Sequence, residues 1–333
     1  MKRFVQLSTA RQFNYVQELL ERMDFGKVDI KDLGTIDFRL PEDDPRTWLA
    51  LTGSTHPSRP RIGIGAPVWS VKDWVGSVYP AGTPNKDFLT EYAKQFNSIE
   101  LNSTHYGTPD SETIKRWRDS THDGFKFNVK FLQEISHRFP LGADLKLVTE
   151  FCDAALSLED RLGITFLQLS PHFSVDDVPQ LQSFLKQIPK DLPISVEVRH
   201  PSFFREHVLA AKYYDVLREH GAHAVITDVA GRRDVLHTSL PTSKVLIRFI
   251  GNSWAMTGIH ATDEPRLLDW SKRLKSWLKL GLEQVEFFVH EPDNKLSPDL
   301  IAKFIEHMND GTDLNLPTWK PFEKTGPAQL KFF

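Results

Sequence analysis

Acidic, basic and amide side chains recur near the ends of short apolar runs in this chain. Glu100 and Asn102 fall in the run 98–102, Lys130 ends 125–130, Gln168 lies in 165–169, and Glu197, Arg199 and His200 fall at or just past the end of 194–198. Asp228 ends 222–228, Arg248 lies in 245–250 and His290 ends 285–290. Trp69 follows the first run, 62–66, while Tyr106 and His137 follow the second and third. An ionised group among apolar neighbours is costly unless paired, so such a set must neutralise itself. Taken singly, each residue fits a structural salt-bridge layer, Arg248 against Glu100 for example. Taken together at one end of eight runs, they read as a binding or catalytic site.

The chemistry of that set points to an anionic ligand. Lys130, Arg199 and Arg248 are cations suited to oxyanions, with phosphate the first choice and carboxylate the second. Glu197 or Asp228 is the expected general base and His200 or His137 the proton donor, with Glu100 as a further catalytic carboxylate. Asn102, Tyr106, Lys130, His137, Gln168, Arg199, Arg248, His290 and Trp69 are expected to contact the substrate. Glu100 and Glu197 also fit the carboxylate pair of glycoside hydrolysis. Glu100, Glu197, His200, Asp228 and His290 resemble a divalent-metal shell, although no His-Glu-x-x-His spacing is present. No cofactor is predicted, and a metal-dependent phosphodiesterase or sugar isomerase stays open as an alternative. A non-catalytic binder of an anionic metabolite or a nucleic-acid end is the other. Trp69, Trp74, Tyr79, Tyr106 and Trp254 fall in the loops after strands, whereas Trp270 and Trp277, seven residues apart, read as helix core.

Positioning these residues requires a strand–helix repeat. Between most runs lie helix-length amphipathic windows at 87–96, 111–119, 145–162, 178–187, 203–220 and 263–280, with another at 298–308 after the eighth run; 229–244 shows no convincing helix. Eight such units predict an α/β fold, a (β/α)8 TIM-like barrel. A large open sheet is the competing arrangement, and no Gly-rich phosphate fingerprint follows the first run. The division expected is an N-terminal extension over 1–61, an arm with one helix at 9–23, then a barrel over 62–310 and a tail over 311–333. With 333 residues, 40% of them hydrophobic and including 23 Phe, the chain can build a large core. A net charge of -3 does not support bulk nucleic-acid binding. The single Cys152 reads as a buried, inert thiol. No apolar run reaches membrane-spanning length and no signal sequence is evident, so a cytoplasmic protein with no membrane partner is expected.

Several motifs in order carry a family resemblance: Tyr79-Pro80-Ala81-Gly82-Thr83, Phe96-Asn97-Ser98-Ile99-Glu100-Leu101-Asn102-Ser103-Thr104-His105-Tyr106, Phe166-Leu167-Gln168-Leu169-Ser170-Pro171 and Val196-Glu197-Val198-Arg199-His200-Pro201-Ser202-Phe203. Over 62–308 the chain resembles the YecE-like family, a domain of unknown function (DUF72). The resemblance implies a TIM barrel and supplies no reaction. Three places depart from the family pattern: His105 where Phe is usual, Arg248-Phe249-Ile250-Gly251 where a histidine is usual before the glycine, and His290-Glu291-Pro292-Asp293-Asn294 where an Asn pair is usual. A histidine lost at one strand end and gained at another would preserve function by exchange, or else mark a different substrate.

Overall fold

Each apolar run folds as a strand, because Val, Ile, Leu and Phe flanked by turn residues suit a sheet covered on both faces. The computed structural model describes residues 26–54, 59–253 and 257–317, so the expected helix at 9–23 and Trp254 lie outside the described residues. The strands are β1 (Arg61–Gly65), β2 (Ser98–Leu101), β3 (Lys126–Val129), β4 (Thr165–Gln168), β5 (Ile194–Glu197), β6 (His223–Asp228), β7 (Lys244–Ile250) and β8 (Gln284–His290). Six form one parallel sheet in the order β1-β8-β7-β6-β5-β4, and β2 pairs with β3 in parallel. Single bonds link the two groups: Glu100 N–H donates to Ala66 O (3.2 Å), Phe131 N–H to Phe166 O (2.9 Å) and Gly163 N–H to Phe127 O (2.8 Å). The fold is therefore α/β with a mainly parallel central sheet.

Besides the single helical turn Gln133–Ser136, the helices are α1 (Pro45–Thr52), α2 (Phe88–Gln95), α3 (Ser111–Asp119), α4 (Leu145–Leu156), α5 (Val178–Leu185), α6 (Ala211–Glu219), α7 (Asp263–Leu280) and α8 (Ser297–Asn309). Two are shorter than their sequence windows by more than a turn. α4 gives way to the 3-10 turn Glu159–Arg161, and α6 starts only at Ala211 because Phe204–Arg205 and Val208–Leu209 form a tight antiparallel hairpin with Glu206 and His207 at positive φ. Between β6 and β7 the connection holds only the 3-10 turn Ala230–Val235, in line with the absence of a helical pattern there. Trp270 and Trp277 are fully buried, and burial pushes the Cys152 thiol up to about 12, which leaves it inert. No described helix is long and apolar enough to cross a membrane.

The period-two alternation of the strands builds layers on the face of the sheet away from the helices. Nearest the strand N-termini, the buried Glu286 carboxylate of β8 accepts from Arg61 Nε (3.1 Å), Gln284 Nε2 (3.0 Å) and Ser98 Oγ, and Asn128 Nδ2 donates to Ser98 Oγ (2.8 Å). Next come Phe166, Val225, Leu246 and Phe288, a small buried cluster separate from the main core. Two residues further along the same strands stand Gln168, Thr227, Arg248 and His290, which are polar. The lowest layer leaves no room for a side chain at Gly63, where a Cβ would come within 1.8 Å of Glu286 Oε2. Gly63→Ala is accordingly expected to destabilise the protein by about 3 kcal/mol in urea denaturation, since Glu286 is tethered and has nowhere to move.

The described N-terminal segment covers the flank that the β6–β7 connection leaves without a helix. Gly231 N–H donates to Gly26 O (3.0 Å), and the Phe38 ring lies against the Arg233 and Arg266 guanidinium groups (5.4 and 5.0 Å). Asp43 accepts from Arg273 (2.6 Å) and Trp277 (3.1 Å) of α7, while the Tyr214 hydroxyl of α6 donates to Arg46 O (3.2 Å). Asp44 caps α1 and also accepts from Ser239 Oγ (2.6 Å). α1 thus sits between α6 and α7.

Candidate active site

At the strand C-terminal ends, residues from seven strands meet in one hydrogen-bonded group. Arg248 of β7 is its hub. Its Nε and Nη2 donate to the two oxygens of Glu100 (3.0 and 3.1 Å), and its Nη1 donates to Glu197 Oε2 (3.2 Å). Glu197 further accepts from Gln168 Nε2 (2.7 Å), Arg199 Nε (3.1 Å) and Thr227 Oγ1 (3.0 Å). Glu100 also bonds His290 Nε2 (2.9 Å) and accepts from Asn102 Nδ2 (2.8 Å). With its Nε2 turned to Glu197, Gln168 presents its Oε1 to Lys130, whose Nζ donates to it at 3.0 Å. Lys130 and Arg248 each stand 5.9 Å from the Phe166 ring centroid, so the apolar layer floors the group.

The electrostatics follow from that pairing. Burial pushes both carboxyls up, but for Glu100 the Arg248 and His290 contacts outweigh it and hold the group well below its ordinary value. For Glu197, Arg199 and Arg248 outweigh burial and the carboxyl falls to about 2. Lys130 moves the other way: burial, then Arg248 and Arg199, bring its ammonium down to about 7. Burial also lowers His290, against the pull of Glu100. Two arginines match two ionised glutamates, and Lys130 forms no ion pair among the described residues.

Of the residues expected from sequence, Glu100, Asn102, Lys130, Gln168, Glu197, Arg199, Arg248 and His290 come together in this group. Five do not join it through the bonds described. Asp228 lies apart from it, on the helix side of β6, where it accepts from Arg266 (2.8 Å) and Trp270 (2.8 Å) and pairs with Arg233. Those cations hold its fully buried carboxyl below the usual range against the upward push of burial. His200 caps the 3-10 turn Pro201–Phe203 through Ser202. His137 bonds Ser136 Oγ (2.7 Å) and meets the buried His105 ring edge-on, Tyr106 is 69% exposed, and Trp69 packs on Trp117. Trp74 and Tyr79 are buried, each donating to a backbone carbonyl. Thr227 was missed; its signal was register, since it is paired with Arg248 and so shares its face, whereas Asp228 does not. Of the departures, His105 is held by Phe131 O (2.8 Å), Ile250 stands without a polar role, and His290 touches Glu100.

Among the described residues, no three or more His, Cys, Asp or Glu side chains are grouped to hold a metal ion. A glycosidase pair needs one carboxyl to keep its proton as the acid. Here both are held ionised.

Fold and site define an α/β protein with a mainly parallel sheet and a buried ionic network at the strand C-terminal ends. The chain belongs to the family described as "Protein of unknown function DUF72", whose profile matches residues 63–324. It is 33% identical over 266 residues to the UPF0759 protein YecE of Escherichia coli (strain K12), covering 74% of this chain and 92% of that protein. It is 26% identical over 243 residues to the UPF0759 protein YunF of Bacillus subtilis (strain 168), covering 64% and 83%. Among solved structures it is similar to a DUF72 family protein from Enterococcus faecalis V583, with a TM-score of 0.61, 19% identity and coverage of 76% of this chain and 99% of that one. Another from Thermotoga maritima MSB8 gives 0.57, 22%, 74% and 98%.

Proposed function

We propose that the chain is an enzyme acting on a small anionic substrate at the strand C-terminal ends, with Lys130 as the group that meets it. The observation that carries this reading is how the charges are paired. Arg248 and Arg199 are bonded to Glu100 and Glu197, while Lys130, among the described residues, donates to the neutral Gln168 amide and to no carboxylate. A surplus cation over an apolar floor, at the end of the sheet where parallel α/β folds place their chemistry, is a receptor for an oxyanion such as a carboxylate or phosphate. Proton transfer falls to Lys130 as well, because its ammonium titrates at about 7 while the glutamates stay ionised. Glu197, already accepting from four donors, positions Arg199, Arg248 and Gln168 and is a poor base.

The same reading takes the sheet as a closed (β/α)8 barrel over 62–310, with 1–61 as an arm and 311–333 as a tail. What supports closure is the set of single bonds joining β2 and β3 to β1 and β4, and the layers inside.

The test is to incubate the purified protein with a small-molecule cell extract and follow phosphorylated and carboxylated compounds by mass spectrometry. Wild type is expected to consume at least one of them, and Lys130→Met to lose that turnover at least about a hundredfold, the scale of a general acid–base group. Binding without consumption would make the protein a binder of anions and overturn the enzyme. Consumption undiminished in a folded Lys130→Met would remove Lys130 from the chemistry.

A further inference from the structure

We propose that Lys130 is an imine-forming lysine, and that the site therefore takes carbonyl compounds bearing a carboxylate or phosphate group. This rests on the reading above that the cluster receives an anionic substrate, and it adds the bond made there.

The geometry distinguishes a nucleophilic amine from a charge-balancing one. A lysine kept only to neutralise the glutamates would lie against Glu100 or Glu197. Lys130 does neither, since Arg248 occupies both carboxylates and Arg199 occupies Glu197. Its nitrogen is held instead by Gln168 Oε1, and the Gln168 amide is itself locked by the bond from Nε2 to Glu197. One neutral acceptor orients the amine and holds its charge less firmly than a carboxylate would, and the pull of Glu100 and Glu197, neither of them bonded to it, is outweighed by burial and the guanidinium groups. The Phe166 ring below and burial of the side chain to 8% exposure remove most of its hydration, and the two guanidinium groups add like-charge repulsion. Those are the conditions under which a lysine amine is free to attack near neutral pH.

A proton carrier belongs to the same hydrogen-bonded group. His290 bonds Glu100 through Nε2, and an imidazole that donates from Nε2 to a carboxylate keeps the lone pair on Nδ1. The charge of Lys130 reaches this ring and helps keep it neutral. The free amine adds its lone pair to the carbonyl carbon while the C=O π pair moves to oxygen. A proton passes from nitrogen to that oxygen through His290, giving a neutral carbinolamine. His290 then relays a second proton from solvent, the oxygen leaves as water, and the nitrogen lone pair forms the C=N bond. In sum, amine, carbonyl and one proton give an iminium and water. The iminium returns a positive charge to a place already flanked by Arg199 and Arg248, so a ligand that carries its own anionic group is the one that fits.

Sodium cyanoborohydride reduces an iminium to a stable secondary amine and so records the adduct. Wild-type protein is incubated with that reagent and either pyruvate or dihydroxyacetone phosphate, and adducts are located by intact mass and peptide mapping. The expected result is one adduct per chain, on Lys130, with at least one probe. Acetone, which lacks the anionic group, should react at least about tenfold more slowly. The rate should rise from about pH 6 to about pH 8 as the amine loses its proton. Lys130→Met, checked for an unchanged melting curve, should show no adduct at this site; mapping of wild type alone carries the test if the variant does not fold. Pyruvate alone reacting assigns a carboxylate to the ligand, and dihydroxyacetone phosphate alone assigns a phosphate, each supporting the proposal. No adduct on Lys130 with either probe, or labelling spread evenly over surface lysines, overturns it. A melting-temperature rise with inorganic phosphate on the same sample separates the two ideas. A rise without an adduct removes only the imine, and no rise with no adduct removes the anionic site as well.

Discussion

Arg248→Met is expected to destabilise the protein by ~3–5 kcal/mol near neutral pH, the range for removing one partner of a buried ion pair. Methionine fills much of the space of the arginine stem and supplies no charge. Glu100 would keep only His290 and Asn102, and Glu197 would keep Arg199, Gln168 and Thr227, so Glu100 bears most of the loss. The pH dependence identifies the cause. In the wild type, Glu197 titrates at about 2 and Glu100 is held well below its ordinary value, both under the ~4.3 of an unfolded glutamate. Their contribution is present above the unfolded pKa and is lost as the pH falls through the folded values. Without Arg248, burial of Glu100 is no longer outweighed, its carboxyl rises, and stability falls as pH rises instead. Urea denaturation over a pH series should therefore show a deficit that is largest at neutrality and shrinks toward acid. A second change, Glu100→Gln, should restore much of it. A deficit equal at every pH would mean that Arg248 acts through packing, not charge.

The ionic group was legible in the sequence to the extent that strand ends are legible. Eight apolar runs with polar termini located Glu100, Lys130, Gln168, Glu197, Arg199, Arg248 and His290 on one end of a sheet, because a parallel strand direction puts all its C-termini together. Which face each residue takes was harder. A strand presents alternate residues to opposite faces, so a one-residue difference separates Thr227, bonded to Glu197, from Asp228, bonded to Arg266 and Trp270. His200 lies outside the group for another reason: the strand ends at Glu197, and His200 caps the turn Pro201–Phe203. Residues 26–54 were expected only as part of an arm, without the helix Pro45–Thr52. Its docking depends on Thr47 bonding Thr238 and Asp43 meeting Trp277, partners whose spacing no local pattern encodes. The vacancy it covers was visible as the missing helical period at 229–244, but not what would cover it.

Glu291→Gln is expected to stabilise the protein, by ~3 kcal/mol near neutral pH and more on the alkaline side. Glu291 follows β8 and is 4% exposed, with Oε2 accepting from Ser253 N–H (2.9 Å) and Oε1 without a partner among the described residues. Burial, then the neighbouring Asp263 carboxylate, pushes its carboxyl up to about 9. Between the unfolded value of ~4.3 and the folded one, the unfolded chain releases a proton that the folded chain retains. Stability thus declines with pH across that window, at ~1.4 kcal/mol per unit. Glutamine keeps the acceptor for Ser253 and has no proton to lose, so the slope should vanish in the variant. Denaturation at about pH 5 should barely separate the two proteins, and at about pH 8 it should separate them widely. Equal curves at both would show an ionised Glu291 and an alternative partner for Oε1. A carboxylic acid held against this cost sits in the loop beside Gly251 and Ser253, just past the strand that supplies Arg248. Should Glu291→Gln be more stable yet slower in capturing a carbonyl probe at Lys130, the cost belongs to the working of the site, since structural acids are improved by neutral replacement without loss elsewhere.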